Sequence, residues 1–86
     1  DYILIQNYPN PFNPETNIEF SLPKDDNIKI DIYDTRGRLV QTLINTKLKA
    51  GSYKINWNAS GLSSGVYFYT LKNSVNQITK KMLMIK

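Results

Sequence analysis

The side chains that could do chemistry in this chain are carboxylates, hydroxyls and amines. Among its 86 residues there is no histidine and no cysteine. The group that most easily carries protons near neutral pH is therefore missing. His-based metal sites and Ser-His-Asp triads are excluded, and there is no thiol nucleophile or disulfide. Ser60, Ser63 and Ser64 lie in a loop with no base to activate them. Four of the seven acidic residues are Asp25, Asp26, Asp31 and Asp34. Calcium takes several carboxylate or carbonyl oxygens, but the D-x-D-x-D-G spacing is absent. Asp25 and Asp26 sit in a turn, where aspartate normally bonds the backbone. Glu15 and Glu19 are the only glutamates. A hydrolytic pair would need a cleft between them, and Glu19 projects from the wet face of a strand. No catalytic residue, metal or cofactor is expected.

Two binding chemistries are open to these side chains as well. Tyr33, Tyr67 and Phe68 can stack on sugars if they point outward, or fill a small core if they do not. Lys29, Lys54 and Lys72 can share a face, but asparagine and aspartate dilute it. No nucleic-acid surface is expected from so mixed a pattern. The formal net charge is +4. The lysines are spread along the chain, with a mild cluster at Lys80, Lys81 and Lys86. Ordinary solubility accounts for this charge.

The elements that hold these groups read as strands. Apolar and polar residues alternate in Asn17–Leu22, Ile28–Tyr33 and Tyr53–Trp57, with a period of two rather than 3.6. Strands are also expected near 2–5, 38–44, 66–72 and 77–85. The 38–44 alternation is imperfect, which points to a bulge. The 66–72 strand is apolar on both faces, as a central strand would be. Asp34-Thr35-Arg36-Gly37 reads as a type I turn closed by a left-handed glycine. No stretch has helical spacing, and no apolar run reaches the length of a membrane span.

The expected fold is all-β: a small antiparallel β-sandwich of about seven strands, immunoglobulin-like, forming one domain over 1–86. Its core should contain Ile18, Phe20, Ile28, Ile30, Ile32, Val40, Tyr53, Ile55, Trp57, Tyr69 and Leu71. Without the cysteine pair of antibody domains, Trp57 is expected to pack on aliphatic side chains. A domain this size buries only about 60–65% of its unfolded surface, which leaves little room for a deep cleft. The chain begins with Asp1 rather than Met, so it is expected to be part of a longer protein.

The stretch Asn7-Tyr8-Pro9-Asn10-Pro11-Phe12-Asn13-Pro14 is the most distinctive. Its prolines forbid a helix and reduce the entropy lost on ordering. Two rings in so stiff a loop are expected to be buried, pinning it to the sandwich.

Together with I-E-F-S-L-P at 18–23, I-Y-D-T-R-G-R-L-V at 32–40 and the run from Ala50 to Tyr69, the loop carries a resemblance. The run to Tyr69 includes Trp57 and Gly65, and Gly37 lies in the preceding motif. With K-K-M-L-M-I-K at the end, these motifs resemble the type A C-terminal sorting domain of the type 9 (Por) secretion system. The sandwich is also similar to the immunoglobulin-like domain of the flagellar hook-capping protein. The resemblance implies a non-catalytic address label behind a secreted enzyme or adhesin. It implies outer-membrane type 9 machinery and a sortase-like peptidase as partners, and a destination at the cell surface or in the medium. An edge strand can pair with a partner's sheet. Lys80, Lys81, Met82, Leu83, Met84, Ile85 and Lys86 are therefore the candidate recognition residues. A monomer is expected. The competing reading is an accessory carbohydrate-binding or spacer module of an extracellular hydrolase.

Overall fold

The computed structural model describes all 86 residues. Seven strands form in chain order: β1 (Ile3–Leu4), β2 (Glu15–Leu22), β3 (Asp26–Tyr33), β4 (Leu39–Leu48), β5 (Gly51–Asn58), β6 (Gly65–Lys72) and β7 (Gln77–Met84). They build two antiparallel sheets, one of order β1-β2-β5 and one of order β4-β3-β6-β7. The pairings of β2 with β5 and of β3 with β6 join strands that are not consecutive in sequence. That gives the crossed connections of an immunoglobulin-like sandwich, with β4 beside β3 instead of beside β5.

Side-chain alternation decides which face each strand buries. On β2, Thr16, Ile18, Phe20 and Leu22 are buried, while the residues between them are not. Ile28, Ile30 and Ile32 of β3 and Tyr67, Tyr69 and Leu71 of β6 supply the opposing layer. The two layers meet over Trp57, Phe12, Met82 and Met84, each at most 2% exposed.

Trp57 packs differently from expectation. Its neighbours are aromatic: the Phe12 ring lies 5.8 Å away and the Tyr67 ring 6.0 Å away, the latter edge-on. Its indole N–H donates to Gln41 Oε1 at 3.0 Å, so the polar end of the ring is satisfied. Tyr67 is thus an inward residue. Tyr33 and Phe68 pair across β3 and β6 on the outer face, half-buried.

Val40, Tyr53 and Ile55 are only half-buried, not core as expected. All three lie on β4 or β5, the last strands of their sheets on one side of the sandwich. Nothing beyond those strands covers them. Strand β4 also runs to Leu48, past the expected end near 44. The expected bulge is present twice. Ile30 pairs with Ile44 but Asp31 with Thr42, and Ile32 pairs with Gln41 but Tyr33 with Leu39. Leu43 and Val40 are the extra residues.

The Asp34 turn forms as read. Gly37 takes φ 79°, the left-handed geometry that favours glycine, and its N–H donates to Asp34 O at 3.0 Å. The Asp34 carboxylate accepts from the Arg36 and Arg38 N–H groups and from Arg38 Nε. These bonds hold its carboxyl below the usual range, the Arg38 N–H contributing most.

Candidate functional site

The candidate recognition residues lie on β7, an edge strand, and just beyond it. In an antiparallel pair, successive residues point their backbone groups alternately to one neighbour and to the other. Leu83 and Ile85 point theirs away from β6, toward the proline loop. Phe12 N–H donates to Leu83 O at 3.0 Å, and Ile85 N–H donates to Phe12 O at 2.9 Å. Asn10 Oδ1 accepts from the Leu83 N–H at 3.0 Å, and Lys81 O accepts from Gln6 Nε2 at 2.7 Å. The backbone edge of β7 is therefore already strapped from Lys81 to Ile85. Gln77, Thr79 and the Lys81 N–H keep that edge free.

The side chains divide in the same alternating way. Met82 and Met84 are each 1% exposed and face the core, so they anchor the strand and offer a partner nothing. Lys81, Leu83, Ile85 and Lys86 are exposed, and Lys80 is half-buried on the face that carries Met82. Lys80 and Lys81 thus sit on opposite faces of the strand. Leu83 pairs with Val66 and Lys81 with Phe68, so both project on the outer face of the four-stranded sheet.

The loop that straps β7 is itself held by a buried polar network. Asn7 is 2% exposed. Its N–H donates to the Tyr69 hydroxyl at 2.7 Å, and that hydroxyl donates to Ile5 O at 2.8 Å. Asn7 Nδ2 donates to Thr16 Oγ1 at 2.9 Å and to Pro9 O at 3.1 Å. Thr16 Oγ1 in turn donates to Pro9 O at 2.8 Å. Burial pushes the Tyr69 phenol up to about 12. Asn7 opens the motif singled out from the sequence, but its buried bonding role is not foreseen there, and Thr16 is not singled out at all. Their one available signal is their place, flanking a proline loop whose carbonyls need donors.

Of the two rings in the loop, Phe12 is buried and Tyr8 is not. Tyr8 is 76% exposed, against the expectation that both would be covered. Its backbone exchanges two hydrogen bonds with Asn17, whose side chain lies on the outer face of β2. Tyr8 shares that pairing and therefore that face.

The carboxylates are committed to structure. Asp25 Oδ1 accepts from the Ala50 N–H at 2.8 Å. Asp26 accepts hydrogen bonds from the Tyr2 hydroxyl and from the Ser74 hydroxyl and N–H. The Tyr2 bond, helped by Ser74, lowers the Asp26 carboxyl to about 2. Asp31 is 1% exposed although it lies on the outer face of β3. Burial works to raise its carboxyl, but the Thr42 hydroxyl, the Lys29 charge and bonds from Lys72 and Tyr33 outweigh it, and the carboxyl is lowered. The distances are 2.7 Å to Thr42 Oγ1, 3.8 Å to Lys29 Nζ and 3.4 Å to Lys72 Nζ. Lys29 and Lys72 do share a face. Lys54 does not join them, because β5 belongs to the other sheet.

Comparison with known proteins accords with this geometry. No curated protein matches the chain significantly. A family model described as the secretion system C-terminal sorting domain matches residues 6–86. Among solved structures, dimeric latent PorU from Porphyromonas gingivalis is similar at a TM-score of 0.74 and 24% identity, over 98% of this chain and 9% of that one. PorZ, a surface component of the type-IX secretion system of the same organism, is similar at 0.67 and 25% identity, over 94% of this chain and 11% of that one. The chain thus spans about a tenth of each. It belongs to the family of secretion system C-terminal sorting domains, which send the proteins that carry them through the type 9 system to the cell surface or the medium.

Proposed function

We propose that this sorting domain acts as a non-catalytic docking label, read through the exposed end of β7. The observation that carries the reading is the strap. Residues 6–12 hold Lys81–Ile85 by their backbones, so Lys81, Leu83, Ile85 and Lys86 are presented on a rigid support. Leu83 is 38% and Ile85 49% exposed, apolar surface that a partner can cover. Flanking lysines steer an acidic partner and set its register. A chain with neither histidine nor cysteine has little means of proton transfer or nucleophilic attack. The partner is the outer-membrane type 9 machinery. A sortase-like peptidase separates the label from the catalytic or adhesive domain that precedes it, and the domain docks as a monomer.

The test is a periplasmic reporter fused to residues 1–86 in a bacterium with a compatible type 9 system, beside the same reporter on a native sorting domain. Export of both is expected. Lys→Arg changes at Lys80, Lys81 and Lys86 should leave export intact. Lys81→Glu combined with Leu83→Asp should lower it by about tenfold or more, with the melting temperature held near wild type. Retention of the fusion while the native domain exports the reporter overturns the label. Full export of the double variant overturns the choice of β7.

A further inference from the structure

The sandwich has two long sides, and only one is closed. On the other side run β4 and β5, the terminal strands of their sheets, joined by Lys49 and Ala50. Between them Ile44, Leu48, Tyr53 and Ile55 pack against the core yet stay half-exposed. Strand β4 carries two bulges, which twist an edge away from pairing. Strand β5 carries none. It pairs with β2 without a slip from Gly51 to Asn58 and contains no proline.

The backbone direction on β5 follows from two sets of bonds. Ala59 N–H donates to Pro14 O, toward β2, so Trp57, Ile55 and Tyr53 point that way too. Ile5 N–H donates to Glu19 O, and Asn17 exchanges bonds with Tyr8. That leaves Thr16, Ile18 and Phe20 as the β2 residues facing β5, which agrees with the register. Ser52, Lys54 and Asn56 therefore aim their N–H and C=O groups at solvent. No backbone bond outside the ladders uses them.

A regular, unblunted edge of this length is a template for another strand. We propose that β5 is a second docking edge, which takes an extended segment of an acidic partner protein by strand addition. Side chains of that segment in line with Tyr53 and Ile55 are apolar and close the seam against Ile44 and Leu48. Those in line with Ser52, Lys54 and Asn56 face outward. Charge selects the occupant. Lys54 projects at an outward position of β5, with Glu19 across from it on the β2 side away from the free edge, and Lys49 lies in the turn that leads into the strand; neither lysine forms an ion pair within the chain, whose three salt bridges involve other cations. A second copy would bring the same lysines together. A segment with carboxylates at its outward positions matches them.

This inference goes beyond the export reading and is tested on the purified domain, so either can fail alone. The probe is an acetylated, amidated peptide of about nine residues alternating valine and glutamate, the length of an ordinary strand. Amide exchange is followed by NMR. Saturating peptide should slow exchange at Ser52, Lys54 and Asn56 by about tenfold, and a valine–lysine peptide should not. Lys54→Pro removes an N–H that no strand of the chain uses, a place where an edge tolerates proline. It should fold and lose the peptide's effect. Protection appearing instead at Gln77 and Thr79, or nowhere, overturns the proposal. So does a folded Lys54→Pro variant that binds unchanged. Protection that rises with protein concentration alone overturns the occupant in favour of a second copy. If Lys54→Pro fails to fold, the exchange pattern of the wild-type chain decides by itself.

Discussion

The β1/β7 side and the β4/β5 side of this sandwich solve the same problem in opposite ways. Both end in edge strands with unpaired backbone groups. On the first, the chain folds a proline-stiffened segment across the gap, spends Phe12 as a plug against Trp57, and bonds the loop to Leu83 and Ile85. On the second it leaves Tyr53 and Ile55 half-covered and the β5 edge unpaired. The difference teaches that burial here is set by what crosses an edge, more than by how apolar each strand is. Tyr53-Lys54-Ile55-Asn56-Trp57 alternates as cleanly as Asn17–Leu22, yet only the latter is covered on its core face throughout.

The largest effect should come from removing the plug. Phe12 is 1% exposed and touches the central indole. Phe12→Ala should cost about 3–5 kcal/mol by lost burial and the cavity left behind. Thermal unfolding checks this, and a melting temperature within about two degrees of wild type would remove the ring's structural role. Next is the polar bolt. Asn7→Ala leaves Thr16 Oγ1 and the Pro9 carbonyl short of a donor inside the fold. A cost of about 1–3 kcal/mol is expected. Amide exchange at Leu83 and Ile85 should rise with it, since their straps depend on the loop.

The open side should answer more weakly. Ile55→Ala removes a side chain that water already reaches, so about 1–2 kcal/mol is expected, against about 2–5 for Ile18→Ala directly across the pair. Equal costs, measured by chemical denaturation, would mean that the seam is closed in solution.

These contrasts also mark what the sequence made legible. Seven strands, the Asp34 turn and the burial of Phe12 are readable, because period-two patterning, turn residues and a ring inside a proline loop each have one physical meaning. Tyr8 was not readable. Its direction is set by pairing with Asn17 across a gap in the chain, and no local pattern carries that register. The far half of β4 was hidden because Asn45, Thr46 and Lys47 are wet on both faces of an edge strand, so alternation vanishes. For the candidate site, alternation separates Lys81 and Leu83 from Met82 and Met84. The strap that fixes them joins residues about 75 positions apart, through Gln6 and Lys81, and no local pattern carries so distant a contact.

A third tie closes the opposite end of the first side and gives it a pH dependence. Asp26 joins Tyr2 near the N-terminus to Ser74 in the turn before β7. Its folded carboxyl titrates at about 2, below the ordinary 3.8. The folded state therefore binds fewer protons than the unfolded chain between those values. The stabilisation is present above about pH 4 and is lost as the pH falls toward 2. Asp31 and Asp34 are lowered too and act in the same direction. At the alkaline end Tyr69 is raised to about 12. Its share is present below pH 10 and lost as the pH rises from 10 to 12. In urea titrations at stepped pH, Asp26→Asn should flatten the acid limb and also change the alkaline limb, because the Asp26 carboxylate is what chiefly raises the Tyr2 phenol. An unchanged acid limb would assign the loss to Asp31 and Asp34.

The smallest effect belongs to the ring beside the plug. Tyr8 is 76% exposed, and only its backbone is engaged. Tyr8→Ala should therefore change stability by no more than about 0.5 kcal/mol, the range of an ordinary surface substitution. The backbone bonds to Asn17 survive the change, so the strap should hold and exchange at Leu83 and Ile85 should stay as it was. The pair Phe12→Ala and Tyr8→Ala then becomes an internal control: two aromatics four residues apart in one loop, differing mainly in whether the ring crosses the edge. A loss of about 2 kcal/mol or more from Tyr8→Ala would show that the outer face of β2 is covered in solution. The division into a closed and an open side would then have to be redrawn to include that face. If stability holds but export of the fused reporter falls, Tyr8 belongs to the docking surface with Leu83 and Ile85, and the proline loop both supports that surface and forms part of it.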